Sequence, residues 1–263
     1  MSKKIRIAFV MAAAIVSLTA GLVSLFARRA AAQTGELHVM VSDSMKTVLE
    51  DLTPQIEQAI GRKLVMQFNS SKNLRDKIQA GEPFDAAILT SNVLDDLIKQ
   101  GKIAPGGRAE IASTSIGMGV RAGATKPDIS TAESMRRTLM NAKAITFNPT
   151  GASAPHTNEM LAKLGIEQAV KSKLMLDTEP GRPQMNVADG KAEVVFSLIP
   201  EIKFFPGVDL VGPIPAEFQA EIDTAGGVAS NAHDPAAALA LMKFLTGPVA
   251  APVMKSKGME PRK

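Results

Sequence analysis

Apolar and polar positions change period repeatedly along the chain. "ELHVMV" at 36–41 reads as a short strand, and Met45, Val48, Leu49 and Leu52 then recur at helical spacing. Gly61 closes that helix, and "KLVMQF" at 63–68 predicts a second strand. A helix opens at Ser71, carries Leu74 and Ile78 on one face, and stops at Gly81, a residue suited to a left-handed helix end. "DAAIL" at 85–89 is a third strand, and Leu94, Leu97 and Ile98 mark a third helix ending at Gly101. Such alternation implies a mainly parallel sheet covered on both faces. "STSIGMGVRAG" at 113–123 predicts a longer strand with no immediate helix. Its glycines depart from the G-x-G-x-x-G spacing and read as close packing inside that strand.

The pattern then restarts. It predicts a helix around 131–140, a strand at 143–147, a helix from Ser153 to Leu164 and a strand at 173–177. A short helix near 183–189, closed by Gly190, leads to a strand at 193–198. Residues 208–214 and 216–230 are strand-like, and Asp234–Pro235 opens the last helices, with proline at the first helical position. Two βα modules result, 36–112 and about 120–215, joined by long strands, with the C-terminal helices packing back on the first module.

The N-terminus changes the charge picture. Lys3, Lys4 and Arg6 precede an apolar run of 21 residues from Ile7 to Ala27, and the small residues Ala30–Ala32 follow. That order reads as an export signal over residues 1–32, cleaved near Ala32, with a retained membrane anchor as the alternative. The first 32 residues hold five basic side chains and no acidic ones, which leaves 25 Lys and Arg against 26 Asp and Glu. The expected mature chain therefore lacks the basic face that nucleic-acid binding needs. With no cysteine in 263 residues, disulfides and thiolate chemistry are excluded, and an oxidising compartment such as the periplasm poses no difficulty. No His or Cys spacing suggests a metal, and no cofactor motif is present.

Candidate chemistry gathers at strand-to-helix junctions. Ser42, Asp43 and Ser44 follow the first strand, Ser70 and Ser71 the second, Thr90 and Ser91 the third, and Thr150–Ser153 the first strand of the second module. In a parallel sheet these junctions share the carboxyl edge, where ligands bind. Helix N-termini there offer unpaired N–H groups and positive dipole ends to an anion. Each serine by itself is equally a helix cap worth about 1 kcal/mol. Arg182, before the short helix, is placed to clamp an oxyanion or to sit solvated at the surface. A rival reading starts from Gly151-Ala152-Ser153-Ala154-Pro155, which approaches the G-x-S-x-G nucleophile elbow of serine hydrolases. His233 comes later, with Asp177, Asp189 and Asp209 between, but Pro155 stands where the last glycine belongs.

"VSDSMKTVLEDL", "NSSKNLRDKIQAGEPFDAAI", "PTGASAPHTNEMLAKLGI" and "DGKAEVVFSLIPEI" occur in an order that resembles the periplasmic molybdate-binding proteins of bacterial ABC importers. "GVDLVGPIPAEFQ" and "FLTGPVAAPVMKSKGMEP" resemble a divergent, molybdate-binding-like branch, and the likeness covers about 36–261. It implies an α/β, two-lobed type II periplasmic binding fold with crossover strands near 113–122 and 217–229. Lobe 1 would span 36–115 plus 226–263, and lobe 2 would span 116–225. It also implies a monomeric, non-enzymatic receptor that holds a small anion between the lobes and delivers it to a permease. By this resemblance Ser44 and Ser71 are first-lobe ligand serines. Backbone donors fall near Ser153–Ala154 and at Gly181, with Arg182 beside it. The family's cleft tyrosine has no counterpart here, its place falling near Leu198. Asp43 replaces a small residue, and His156 and Arg182 are additional cations, so a di- or tricarboxylate joins molybdate as a candidate ligand. An adhesion or sensory accessory on the same fold is the remaining alternative.

Overall fold

The computed structural model describes residues 35–262; the expected export signal lies outside them. The chain folds around two sheets. The first holds β1 (Glu36–Ser42), β2 (Lys63–Asn69), β3 (Ala86–Thr90), β4 (Ala109–Thr114), β10 (Ile222–Val228) and β11 (Glu260–Pro261), in the order β11-β4-β10-β3-β1-β2. The second holds β5 (Ile116–Arg121), β6 (Ile145–Phe147), β7 (Leu174–Leu176), β8 (Val194–Leu198) and β9 (Val208–Pro213), in the order β7-β6-β8-β5-β9. Each sheet has a parallel centre, β3-β1-β2 in one and β7-β6-β8 in the other. Among the antiparallel members, β10 against β3 and β5 against β8 are the strands that arrive from the opposite sheet.

The helices alternate with these strands as the periodicity predicts. They are α1 (Lys46–Ile60), α2 (Ser71–Gln79), α3 (Ser91–Lys99), α4 (Ala132–Asn141), α5 (Ala154–Lys163), α6 (Glu167–Val170), α7 (Arg182–Ala188), α8 (Ile199–Lys203), α9 (Pro235–Leu245) and α10 (Ala250–Ser256). In β1, Val39 and Val41 face α1, α9 and α10 through Leu49, Leu52, Leu241 and Met254. Met40 faces the other way, toward Leu74 and Ile78 of α2 and Leu94 and Leu97 of α3. The period of two in the strand thus places helices on both faces. Among the described residues no single helix is long and apolar enough to cross a membrane. The apolar character of α9 and α10 is spent in the first core, where Leu241 and Met254 are fully buried.

Three segments differ from the pattern. The strand expected over 113–123 is two strands, because Ser115 lies between β4 and β5 and the chain there passes from one sheet to the other. The segment 216–230 begins as a 3-10 turn, Ala216–Phe218, and only then becomes β10. Helix α8 had no periodic signal because it is one turn long and opens with Pro200. The glycines of β5 do allow close packing: a Cβ at Gly119 would fall 2.7 Å from Ile202 and 2.9 Å from Val208. Their absence of side chains seats α8 directly against β5.

Candidate functional site

The carboxyl ends of β1, β2, β6 and β8 face each other across a cleft between the sheets. Two cavities occupy it. One, of about 420 Å³, is lined from the first sheet's side by Asp43, Lys46, Thr47, Glu50 and Phe68, and from the second by Asn148, Gly181, Gln184, Ser197, Glu201 and Phe205, among others. The second, of about 640 Å³, is lined by Ser71, Lys72 and Thr90 on one side and by Thr150, Gly151 and His156 on the other. The β6–α5 turn contributes to both, Asn148 to the first and Thr150 to the second. Asn148 Oδ1 holds that turn by accepting from the Thr150 N–H and hydroxyl, each at 2.8 Å. Across the cleft, Ser70 Oγ and Thr150 Oγ1 approach to 3.4 Å.

Of the residues singled out by the sequence, Ser71 and Gly181 line the cavities, whereas Ser44, Ser153, Ala154 and Arg182 line neither. Ser71 is buried and lines the second cavity; its Oγ accepts from the Thr90 N–H at 2.9 Å, so its own proton remains available to a further acceptor. Ser44 is buried in the 3-10 turn Asp43–Met45, its Oγ 3.2 Å from that of Ser42. Gly181 lines the first cavity at φ 72°, a left-handed conformation that favours glycine. Ser153 and Ala154 are buried at the start of α5, and the Ala154 N–H is used by the Gly151 carbonyl at 3.1 Å. Arg182 lines neither cavity. Its Nε donates to Glu179 at 3.0 Å, and Asp177 lies 3.9 Å away, so local carboxylates engage the guanidinium expected to clamp an anion.

Two cavity carboxylates carry unusual protonation. Burial pushes the Asp43 carboxyl up to about 6, against the opposing pull of Lys46. Burial first, and the charge of Asp43 second, push Glu201 up to about 7. The Ser197 hydroxyl and the Leu198 N–H hydrogen-bond to Glu201 and offset part of this. Asp43 was visible in the sequence as a departure from the resembled family. Glu201 was not, although it stands three residues beyond Leu198, the place assigned to the missing tyrosine. Thr47 was also missed; its Oγ1 is buried, has no hydrogen-bond partner among the described residues and belongs to a residue lining the same cavity.

The hydrolase arrangement does not form. Ser153 stands beyond the carboxyl end of β6, whereas His233 lies beside Asp85, at the amino end of β3. Asp85 is itself structural. It is buried and accepts from the His38 N–H at 2.9 Å and the His233 N–H at 2.7 Å. Chain order alone suggested a triad, and the fold sends its members to opposite edges. Among the described residues no group of three or more His, Cys, Asp or Glu is placed to hold a metal ion.

The two chain crossings lie together at the base of the cleft. Gln219 ties them: its Oε1 accepts from the Ile116 N–H at 2.8 Å, and its Nε2 donates to the Ile116 carbonyl at 2.9 Å. A side chain of one crossing thus imitates a strand neighbour for the other.

Similarity to known proteins agrees with this architecture. The family of bacterial extracellular solute-binding proteins matches residues 37–260. An aconitate isomerase of a Pseudomonas species is 28% identical over 231 residues, covering 86% of this chain and 87% of that protein. The molybdate-binding protein of Azotobacter vinelandii is 26% identical over 251 residues, covering 93% and 95%. Among solved structures, the periplasmic molybdate-binding protein of Azotobacter vinelandii superposes with a TM-score of 0.73 at 20% identity, covering 86% of this chain and 100% of that one. Two sheets crossed twice by the chain around a lined cleft, with a family match over nearly all the described residues, place this protein in the bacterial extracellular solute-binding family with the type II periplasmic binding fold.

Proposed function

We propose that this protein is the extracytoplasmic receptor of an ABC importer and captures a small anion between its lobes. The observation that carries the reading is the meeting of Ser70 and Thr150 hydroxyls from opposite sheets, 3.4 Å apart, between two cavities each lined from both sides. Ser71 supplies a neutral donor from the first lobe and Gly181 belongs to the second-lobe wall; Ser44 and Ser153, buried and lining neither cavity, would add their donors only in a rearranged, closed form. Neutral donors replace the water shell of an anion without the desolvation cost of a buried counter-charge. Closure is a hinge motion at the two crossings, and the closed form presents the ligand to a membrane permease. The N-terminal segment, in this reading, exports the chain to the periplasm and is removed. The receptor acts as a monomer and performs no catalysis.

The ligand class is an organic polycarboxylate ahead of molybdate. The first cavity, at about 420 Å³, exceeds the needs of a tetrahedral oxyanion, and Asp43 and Glu201, raised to about 6 and about 7, can donate to acceptors when they take up protons. Thermal melting of the mature chain against molybdate, tungstate, sulfate, phosphate, citrate and trans-aconitate tests both points. A ligand at 100 times its Kd stabilises by about 2.7 kcal/mol. A shift with a tricarboxylate and none with molybdate is expected; no shift with any anion defeats the reading.

A second reading is favoured by one finding, the likeness to an aconitate isomerase combined with two cleft carboxyls that burial raises to about 6 and about 7. It makes the protein an isomerase of an unsaturated tricarboxylate. Proton NMR of trans-aconitate incubated with the protein decides it: new olefinic signals establish turnover, and an unchanged spectrum alongside binding leaves the receptor alone.

A further inference from the structure

The first cavity sets two like-charged groups against each other, one from each lobe. Asp43 projects from the turn after β1, and Glu201 from α8 after β8. Two ionised carboxylates lining one cavity of this size repel, and burial raises the cost of each charge. The charged residues on the elements packed around them are Lys46, Glu50, Asp51 and Glu57 on α1, Arg121 on β5, Arg182 on α7, Lys203 on α8, Asp209 on β9 and Lys257 after α10, the last paired with Asp51. Of these only Lys46 and Glu50 line the cavity, and they are ion-paired to one another. Among the described residues, Lys46 is the cation that lowers Asp43, and Asp43 is the charge that raises Glu201.

Nothing in this arrangement pairs both carboxylates, yet the surroundings do not suit a cationic ligand. Lysines already cover the aromatic faces at the rim: Lys46 stands 5.1 Å from the Phe68 ring, and Lys257 and Lys203 stand 4.4 and 5.3 Å from the Phe204 ring. Lys46 pairs with Glu50 and Lys257 with Asp51, and the lining holds Asp43, Glu50 and Glu201 against Lys46, so an anion enters favourably only when Asp43 and Glu201 carry protons. Inside, the orphan Thr47 hydroxyl lacks a partner among the described residues and Gln184 lines the wall.

We propose that Asp43 and Glu201 are specificity-determining residues which, as carboxylic acids reaching in from opposite lobes, donate hydrogen bonds to the carboxylates of an anionic ligand, so that capture of the anion takes up a proton from solvent. The balance is simple: the solvent proton bonds to a carboxylate oxygen of the pair and no covalent bond of the ligand changes. An anion in the cavity raises the proton affinity of both acids beyond that of the empty cleft, where they already titrate at about 6 and about 7. Binding therefore tightens as pH falls through this range, by up to about tenfold per pH unit for one proton taken up. The proposal rests on the anion-receptor reading of the cleft.

Titration calorimetry tests it, using tricarballylate and molybdate at about neutral pH in two buffers of different ionisation enthalpy. The difference in apparent heat, corrected for the ligand's own protonation, counts protons taken up. At about pH 7 the empty pair holds roughly half a proton, most of it on Glu201, so wild type takes up about one to two protons per anion bound. The double variant Asp43→Asn, Glu201→Gln, which keeps shape and donors, binds without uptake and with the pH slope removed. A purely structural pair would move the melting temperature but not the proton count. Binding by wild type with no uptake, or uptake unchanged in the double variant, overturns the proposal while leaving the receptor intact. Binding of neither anion overturns both. If the double variant is unfolded, the wild-type proton count alone decides.

Discussion

At the residue scale, the same hydroxyl often serves the fold and the cleft. Ser71 caps no helix through its side chain; it accepts the Thr90 N–H instead and fastens α2 to the end of β3. Ser71→Ala leaves that buried N–H unsatisfied, which costs about 1–3 kcal/mol. Its melting temperature falls, and the anion response weakens further than that of a stability-matched core variant. Asp85 gives the contrasting case. It holds two backbone N–H groups at the edge away from the cleft. Asp85→Ala should destabilise by several kcal/mol, about 1–3 for each orphaned donor, with anion affinity unchanged when measured well below the melting temperature. Serines at strand ends could be read from the chain because a junction is a local event. The roles of Asp85 and Glu201 could not, because each is defined by partners distant in sequence.

At the element scale, the crossings matter most. The 113–123 segment reads as one strand because its apolar residues continue through Ser115, and period alone does not say which sheet a strand joins. Gln219 then makes two hydrogen bonds to the backbone of Ile116, where the chain enters the second sheet. Gln219→Ala removes both, at about 1 kcal/mol each. Hydrogen exchange should show faster exchange of the Ile116 amide, and small-angle scattering a larger radius in the ligand-free protein. Unchanged protection at Ile116 would show that Gln219 does not brace the hinge. Helix α8 teaches the same lesson from the other side. It carries Glu201 to the cavity only because Gly117 and Gly119 let it lie on β5. Glycine in the strand signalled close packing, but not what packed there.

At the scale of the whole molecule, the two cleft carboxyls tie stability to pH. Asp43 and Glu201 titrate in the folded state at about 6 and about 7, above their ordinary values of 3.8 and 4.5. A carboxyl raised in this way holds protons that the unfolded chain has released, so its contribution is complete below about pH 4 and is lost as pH rises toward 8. Other carboxylates act in the opposite sense at lower pH: hydrogen bonds from Lys63 and the Leu64 N–H hold Glu57 low, and the Ala237 N–H does so for Asp234. Urea unfolding of wild type against Asp43→Asn, Glu201→Gln isolates the first term. The variant should gain relative stability from pH 5 to pH 8; a constant difference would mean that these acids are not buried together. The sequence by itself determined the alternation of strands and helices, the division into two modules and the gathering of hydroxyls at strand ends. These follow from local periodicity and from the shared carboxyl edge of a parallel sheet. Only the tertiary structure decided that Asp43 and Glu201 line one cavity, that Arg182 turns to Glu179, and that His233 lies far from Ser153. Those outcomes depend on how one lobe is set against the other and on which charges fall within reach, and no repeat along the chain records either.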